Sequence, residues 1–161
     1  RARNIGAAVA SGDVLLIQDA DTIASPNYCE EIESAVESGY TFGAAKLITE
    51  TSHPISLVRV AIINIYSTIC GLFVGAGLWV RRDAFDQVGG YDTSLGWGED
   101  VEITERLSEV GQARMIRDAT LMYCERRFQN NGYWRETMDR NAKMLDYVIE
   151  RRLKKGRRRA G

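Results

Sequence analysis

The chain has 161 residues, 45% of them hydrophobic, which is enough for one domain with a buried core and too few to indicate two domains. Its formal net charge is only −1, but seven of the 21 basic residues lie in 151–159. The rest of the chain therefore has 14 basic and 22 acidic residues and is acidic overall. Such an acidic body argues against a dedicated nucleic-acid binder, because those proteins present basic grooves. The basic end is a solvated helix end or a contact for an anionic lipid surface.

The three cysteines do not indicate a zinc site or a disulfide framework. Cys29, Cys70 and Cys124 are widely spaced, and no two of them form a C-x-x-C pair. This usage favours a reducing compartment, so we expect a cytoplasmic protein. Because the chain begins with arginine and opens at once on a helix-like stretch, we also expect it to be a piece of a longer protein.

The first half of the chain alternates between helix and strand patterns, which is typical of α/β proteins. Apolar spacing and turn residues predict helix 2–10, strand 13–18, helix 26–38, strand 41–48 and helix 55–68. The helix at 26–38 has the clearest end signals, with Ser25 as its cap, Pro26 in its first turn and Gly39 after its last residue.

The second half continues this alternation and ends in a long amphipathic helix. The predicted elements are strand 72–80, helix 83–88, helix 99–110, strands 113–116 and 120–123, a loop and the final helix. The apolar residues that share one face of the final helix are Met138, Ala142, Leu145, Ile149 and Leu153. We assign residues 1–150 to the domain and 151–161 to a basic tail.

Residues 60–80 include no charged side chain, over a length that could span a bilayer. The stretch contains Asn64 and changes midway from isoleucine-rich to glycine-punctuated. That change fits a buried helix followed by a buried strand better than a membrane-spanning helix, which is the alternative interpretation.

Two aspartates, Asp19 and Asp21, follow the predicted strand 13–18, which contains the apolar run 14–17. Carboxylate oxygens suit Mg²⁺ or Mn²⁺, which take one or two protein carboxylates and complete their coordination with substrate phosphates and water. The pair therefore indicates a metal-assisted site for a phosphorylated substrate. An acidic turn after a strand is the plainer alternative.

A second acidic pair, Glu99 and Asp100, follows a Gly-Trp-Gly tripeptide and begins a predicted helix. A helix N-terminus stabilises a carboxylate, so we expect Asp100 to stay ionised and to accept a proton from an attacking hydroxyl. Trp97, between two glycines, offers an aromatic face to a sugar ring or packs in the core. A plain acidic first turn is the alternative for the pair.

Two adjacent arginines, Arg126 and Arg127, follow the last predicted strand. Their guanidinium groups offer forked donors that match phosphate oxygens, although exposed arginines commonly have no such role. The single histidine, His53, precedes a proline in a polar stretch, where a surface or capping role is expected rather than catalysis.

A series of short motifs runs along the chain from residue 1 to about residue 127. In order, they are Ala2-Arg3-Asn4-x-Gly6, Asp19-Ala20-Asp21-Thr22, Gly75-Ala76-Gly77, Arg82-x-Ala84-Phe85, Gly89-Gly90-Tyr91-Asp92, Gly98-Glu99-Asp100, Arg106-Leu107 and Gly111. The combination resembles family 2 glycosyltransferases of the GT-A fold, whose motifs follow the same order. The resemblance implies an α/β fold with a mixed sheet flanked by helices, lacking the first βα units of that fold.

The resemblance also implies an inverting transferase that moves a sugar from a nucleotide-diphosphate donor to an acceptor hydroxyl, with Mn²⁺ or Mg²⁺ as cofactor. Asp19 and Asp21 match the family's DxD motif, with Asp19 near the nucleotide ribose and Asp21 on the metal. Asp100, with Glu99 beside it, matches the catalytic base. The remaining implied donor-site residues are Arg3, Asn4, Gly77, Arg126 and Arg127, and the implied acceptor-site residues are Trp97, Gly98 and Glu99.

The family's first strands hold the nucleobase, and this chain begins after them. The resemblance therefore implies the back half of a catalytic domain, inactive alone, with an exposed sheet edge where those strands would pair. The implied partners are a nucleotide-diphosphate sugar and a glycan or lipid acceptor, and no nucleic acid. Many relatives act at the inner face of the cytoplasmic membrane, so we expect peripheral membrane contact through the basic tail.

Two other interpretations stay open. A haloacid-dehalogenase-like phosphatase also places Asp-x-Asp after a strand, but it expects threonine or valine two residues past the second aspartate, where this chain has Ile23. A degenerate transferase would bind a membrane or a partner through its basic tail and its last helix. The retained Asp19, Asp21 and Asp100 weigh against degeneration.

Overall fold

A computed structural model describes residues 1–73 and 77–159, with the backbone alone for residue 148 and residues 150–159. The helices are α1 (Ala2–Val9), α2 (Tyr28–Glu37), α3 (Pro54–Cys70), α4 (Arg82–Gln87), α5 (Glu99–Leu107), α6 (Arg126–Asn131) and α7 (Tyr133–Arg159). The strands are β1 (Val14–Gln18), β2 (Thr22–Ala24), β3 (Phe42–Thr49), β4 (Gly77–Arg81) and β5 (Ala113–Tyr123). The α/β class and the mixed sheet flanked by helices are confirmed.

The sheet has the strand order β1-β4-β3-β5-β2. β3 and β5 run parallel, and every other neighbouring pair is antiparallel. The register pairs Gln18 with Gly77, and Tyr123 with both Thr49 and Thr22. The carboxyl ends of β1, β3 and β5 therefore point the same way, and the candidate site lies at that end of the strands. Within the described ranges β1 pairs with β4 alone, so it is an edge strand.

Two apolar cores lie against the sheet, because successive side chains of a strand point to opposite faces. On β4, Leu78 and Val80 belong to one core and Trp79, between them, belongs to the other. The first core includes side chains of α1, α4 and α5, and the second includes side chains of α2 and α3. This arrangement puts α1, which carries Arg3 and Asn4, and α5, which carries Glu99 and Asp100, against the same core.

The N-terminus of α2 differs from the prediction. Ser25 does not cap the helix, which begins after Asn27. The Ser25 hydroxyl instead accepts a hydrogen bond from the Thr120 backbone N–H at 3.0 Å, which ties the segment before α2 to β5. Because the Ser25 hydroxyl oxygen accepts this hydrogen bond from β5, it does not cap the N-terminus of α2.

The last part of the sheet also differs from the prediction. The predicted strands 113–116 and 120–123 are one strand, β5, whose pairing with β3 shifts register between Ala45 and Lys46. The irregular residues between the two halves resemble a turn in sequence because they include polar side chains. The predicted loop after β5 is the short helix α6, and the three-residue strand β2 is too short to show a sequence period.

α3 and β4 confirm that residues 60–80 form a helix followed by a strand, although residues 74–76 lie outside the described residues. The prediction that the helix is buried was wrong, because one side of it faces the protein and the other is exposed. We refer to its exposed apolar residues as the α3 stripe: Leu57, Val58, Ile62, Ile65, Tyr66 and Ile69. Among the described helices, none combines the length and apolar character that a bilayer crossing requires.

The long final helix α7 continues through residue 150, so the predicted boundary between domain and basic tail falls inside a helix. The predicted apolar face is exposed wherever its side chains are described, at Met138, Ala142, Leu145 and Ile149. Leu153 belongs to the part of α7 whose side chains are not described. At its start, α7 is joined to the start of α3 by stacking of Tyr133 on His53, with ring centroids 3.7 Å apart.

Candidate functional site

Four charged side chains from three segments meet where β1 ends. The guanidinium of Arg3, on α1, donates from Nη2 to Asp19 Oδ1 at 3.0 Å. Its Nη1 donates to Glu99 Oε1 at 3.0 Å and to Asp100 Oδ1 at 2.6 Å, both in the first turn of α5. Three predicted site carboxylates are thus joined through one arginine; we call this the Arg3 cluster. Its members Arg3 and Asp100 are 97 residues apart in sequence.

Packing beneath the guanidinium holds Arg3 in place. The Arg3 side chain lies over the ring of Tyr91, 5.2 Å from its centroid, which is a cation–π geometry. The neighbouring Asn4 donates from Nδ2 to the Tyr91 carbonyl at 2.8 Å and accepts from the Tyr91 N–H at 2.9 Å. The structure therefore places Asn4, a predicted donor-site residue, as the anchor of α1 to the loop before α5.

The electrostatics of the cluster differ from those expected for an acidic residue at a helix start. Burial raises the pKa of Asp100 to about 6, the positive charge of Arg3 opposes this, and negative Glu99 and Asp19 add to it. Asp100 is therefore mostly ionised at neutral pH, but it holds a proton more readily than we expected. Burial lowers the pKa of Arg3, yet Asp100 and Asp19 more than offset this and raise it overall. A carboxylate with a pKa near neutral suits a general base.

The start of α5 packs closely against α7. Gly98 has φ +80°, a left-handed conformation that favours glycine, and a Cβ there would lie 2.7 Å from the ring of Tyr147. The half-buried Trp97 meets the same ring edge-on, with centroids 6.2 Å apart. The predicted acceptor residues therefore lie next to Asp100, with α7 packed beside them.

A cleft of about 460 Å³ opens beside the Arg3 cluster, a volume within the usual range for small-molecule sites. It is lined by both aspartates of the predicted metal site, Asp19 and Asp21. Four arginines also line it: Arg59, Arg126, Arg127 and Arg140. The cleft thus offers carboxylates to a cation and guanidinium groups to an anion within one space.

Local hydrogen bonds fix the turn that carries the two aspartates. The Thr22 hydroxyl donates to the Asp19 carbonyl at 2.8 Å, and the Cys124 N–H donates to the Asp21 carbonyl at 3.1 Å. The part of the chain that the structure describes contains no group of three or more metal-ligating side chains. Mg²⁺ and Mn²⁺ commonly use only one or two protein carboxylates, so the oxygen donors of Asp19 and Asp21 fit such an ion.

Arg59 was not among the predicted site residues, although it is firmly held at the cleft. Its Nη2 donates to Glu125 Oε1 at 2.9 Å, and its guanidinium lies over the rings of Phe128 and Tyr123, at 4.1 and 4.8 Å. Glu125 is fully buried and also accepts hydrogen bonds from three hydroxyl groups, those of Thr49, Ser56 and Tyr123. One signal was present in the sequence, because Arg59 is the single charged residue of α3.

The other predicted donor residues are divided between the cleft and the core. Arg126 and Arg127 begin α6 rather than lying in a loop, and both are exposed at the cleft. Gly77 begins β4. A Cβ there would lie 2.6 Å from a methyl group of Leu121, which belongs to the second core, so Gly77 packs against that core rather than lining the cleft. Gly75 and Ala76, from the same motif, lie outside the described residues.

Replacing Arg3 by glutamine should raise the pKa of Asp100 above its present value of about 6, because the change removes the positive charge nearest to three carboxylates. Titration of the Asp100 carboxyl carbon by NMR measures this directly. Arg117→Gln, at an exposed arginine of β5, is the matched control and should leave the titration unchanged. An unchanged midpoint in Arg3→Gln would contradict the ion pair between Arg3 and Asp100.

Comparison with known proteins identifies no family for this chain. No protein-family model matches it, and no curated protein matches it. Its function must therefore be argued from the Arg3 cluster, the cleft and the motifs that supply their residues.

Proposed function

We propose that this chain carries the catalytic site of an inverting glycosyltransferase with a GT-A arrangement, which moves a sugar from a nucleotide-diphosphate donor to an acceptor hydroxyl. The observation that carries the proposal is the meeting of Asp19, Glu99 and Asp100 around Arg3, together with the arginine-lined cleft that Asp19 also lines. Three separate motifs of the family 2 resemblance supply these residues, with Glu99 and Asp100 in the same motif. A chance likeness of sequence gives no reason for them to converge.

On the donor side, Asp19 and Asp21 would hold Mn²⁺ or Mg²⁺, and such an ion supplies charge neutralisation to the leaving diphosphate. Arg126 and Arg127, at the same cleft, would donate hydrogen bonds to phosphate oxygens. Carboxylates and guanidinium groups in one cleft match a ligand that carries both a cation and phosphates. This pairing distinguishes a metal–diphosphate complex from a simple anion.

On the acceptor side, Asp100 would accept the proton of the acceptor hydroxyl. The hydroxyl oxygen then attacks the anomeric carbon from the face opposite the diphosphate, the bond to the diphosphate breaks, and the diphosphate leaves with the electron pair. Arg3 holds Asp100 through Oδ1 and keeps the carboxyl mostly ionised at neutral pH. Trp97, beside this carboxylate, would offer an aromatic surface to the acceptor sugar.

The phosphatase interpretation has less support. Such enzymes use a lysine near the phosphate, and no lysine is among the described side chains that line the cleft.

A membrane or partner contact is the second candidate function, and the exposed Met138, Leu145 and Ile149 on α7 favour it. It is compatible with catalysis, because an enzyme with a lipid or glycan acceptor at the cytoplasmic face of a membrane would need such a contact. We propose that location together with the transferase activity.

Isothermal titration with UDP and GDP, with and without Mn²⁺, tests the proposal on the protein expressed from its complete gene. We expect one nucleotide to bind with strong dependence on Mn²⁺, and Asp21→Ala to weaken that binding by roughly tenfold or more. Asp86→Ala, at an exposed aspartate of α4, is the control and should bind like the unchanged protein. A folded protein that binds neither nucleotide would contradict the transferase proposal and favour the second candidate function, a membrane or partner contact.

A further inference from the structure

The helix α3 buries small polar residues and exposes large apolar ones, which reverses the usual arrangement of a surface helix. Two of its three buried residues are serines, Ser56 and Ser67, and the third is Val60. The Ser56 hydroxyl donates to the buried Glu125 at 2.6 Å. On the other side of the helix, the six residues of the α3 stripe are between 37% and 77% exposed. Most of the large apolar surface of α3 therefore faces outward.

Hydrogen bonds to the sheet fix the direction in which the stripe faces. Asn64, in the middle of α3, donates from Nδ2 to the Leu47 carbonyl at 2.9 Å and accepts from the Leu47 N–H at 2.9 Å. Turning the stripe inward would break these bonds and the one from Ser56, and it would leave polar groups unpaired at the protein surface of the sheet. The outward direction of the stripe is thus a property of the fold.

The central residues of the stripe have the spacing of a helix–helix interface. Val58, Ile62, Ile65 and Ile69 follow one another by four, three and four residues, which is the spacing of the a and d positions of a coiled coil. They form an apolar seam about 17 Å long, or about three helical turns. A seam with this spacing packs best against a second helix of the same spacing, because side chains of each helix fill the gaps of the other.

The residues around this seam carry no charge on the exposed side. Arg59 is the single charged residue of α3, and it lies at the cleft in an ion pair with Glu125. A helix that lies along a membrane surface typically carries several lysines and arginines, which α3 does not. In a two-fold symmetric contact each patch meets its own copy, so a charged patch repels itself and an uncharged one does not. The uncharged seam therefore favours contact with a second copy of this chain.

The area of the stripe also matches what a dimer needs. A specific protein interface buries roughly 600–1,000 Å² on each partner, and the six stripe residues together expose on the order of 600 Å². Contiguous apolar patches on monomeric proteins rarely exceed a few hundred Å². The stripe is thus large for a surface that stays in water and large enough for the centre of a dimer interface.

We propose that α3 forms the interface of a homodimer, in which the α3 stripe of one protomer packs against the same stripe of its partner about a two-fold axis. Ile62 and Ile65 lie near the centre of this two-helix contact. Because Arg59 and Ile63 of the same helix line the cleft, the contact would also support one wall of the cleft from outside. The proposal does not rest on the transferase activity, since it concerns the exposed side of α3 alone.

Sedimentation velocity of the protein expressed from its complete gene, at concentrations from about 1 to about 100 μM, tests the proposal. We expect the mass of two copies at the higher concentrations. Ile62→Arg places two like charges at the seam, away from water, and should weaken the dimer by about 100-fold or more. This variant should therefore be mostly monomeric at concentrations where the unchanged protein is dimeric.

Val9→Arg, at an 80% exposed apolar residue of α1, is the matched control and should leave the dimer unchanged. Circular dichroism establishes that each variant is folded, as expected for Ile62, which is 60% exposed. If Ile62→Arg does not fold, Ile65→Gln makes a milder, uncharged change at the next position of the seam. It should weaken the dimer by about tenfold, because it buries a polar amide against apolar side chains.

A protein that stays monomeric at the highest concentration would overturn the proposal. A dimer that Ile62→Arg does not weaken would overturn it too, because another surface would then form the contact. In a monomeric protein, binding to phosphatidylglycerol and phosphatidylcholine vesicles that Ile62→Arg abolishes would assign the stripe to a membrane. Slow hydrogen–deuterium exchange of α3 in such a monomer, without vesicles, would assign it to a segment of the same chain. Mn²⁺-dependent nucleotide binding is a separate measurement, so the dimer and the transferase are tested independently.

Discussion

Replacing Asp100 by asparagine should lower the rate of sugar transfer by about 10²- to 10⁴-fold and leave the affinity for the metal–nucleotide complex nearly unchanged. Asparagine keeps the shape of the side chain and an oxygen that can accept the hydrogen bond from Arg3. In the unchanged protein, Arg3 Nη1 lies 2.6 Å from Asp100 Oδ1. Asparagine cannot take a proton from an acceptor hydroxyl. Release of nucleoside diphosphate from the nucleotide sugar that binds, with and without acceptor, measures the rate.

The pH dependence of the same reaction provides a second test of Asp100. Since burial raises the pKa of Asp100 to about 6, the rate in the unchanged protein should fall about tenfold for each pH unit below that value. The residual rate of Asp100→Asn should lack this descent. A descent that persists in Asp100→Asn would assign the base to another group, of which Glu99 is nearest along the chain.

Asp100→Asn should also change how stability depends on pH. The pKa of Asp100 is about 6 in the folded chain against an ordinary value of 3.8, so between these values the folded state binds more protons than the unfolded state. The free energy of unfolding therefore falls as pH rises through this window, by about 1–3 kcal/mol for a shift of this size, and stays lower above it. Asp100→Asn removes this loss, so its stability relative to the unchanged protein should be greater at pH 7.5 than at pH 4.

Asp86→Asn is the matched control for these measurements, because it removes one negative charge from an exposed position on α4. Its transfer rate and its pH profile should equal those of the unchanged protein. A transfer rate in Asp100→Asn within a few-fold of the control would contradict the role of Asp100 as base.

Replacing Glu125 by alanine should destabilise the fold by about 3–5 kcal/mol, because it leaves the Arg59 charge without its buried partner. The change also removes the acceptor of the fully buried Ser56 hydroxyl, which donates to Glu125 Oε2 at 2.6 Å. An unsatisfied buried hydroxyl adds to the cost. Urea unfolding followed by circular dichroism measures the loss.

Two further variants test whether the loss in the free energy of unfolding of Glu125→Ala comes from the buried ion pair. Glu33→Ala, at an exposed glutamate within α2, should change the free energy of unfolding by less than about 0.5 kcal/mol. Glu125→Gln combined with Arg59→Gln removes both charges, and it should cost less than the sum of the two single changes because neither charge is left unpaired. A cost below about 1 kcal/mol for Glu125→Ala would contradict the buried ion pair.

Much of the fold could be predicted from local patterns. Apolar runs and helix end signals predicted β1, β3 and most of the helices close to their observed limits, because those signals lie within or next to each segment in the sequence. The prediction failed where a distant partner decides the local structure. Ser25 bonds to β5 rather than to its own helix, and the two predicted last strands join because β3 pairs with both.

For the candidate site too, the residue types could be predicted from the sequence, whereas their contacts could not. The carboxylates of Asp19, Asp21, Glu99 and Asp100 could be singled out from sequence, because each pair adjoins a strand end or a helix start. That Arg3 joins three of them, Asp19, Glu99 and Asp100, depends on packing α1 and α5 against the same core, which no local pattern specifies. The raised pKa of Asp100 follows from burial, which is itself a result of that packing.

By itself, the sequence determined the α/β class, the order of the elements and the residue types available for metal and phosphate chemistry. Only the tertiary structure decided which charges are neighbours, that Arg59, which no motif singles out, is held at the cleft, and that one side of α3 is exposed. The physical reason is that hydrophobic periodicity reports whether a residue prefers burial, whereas electrostatic coupling and exposure depend on the distances that packing sets.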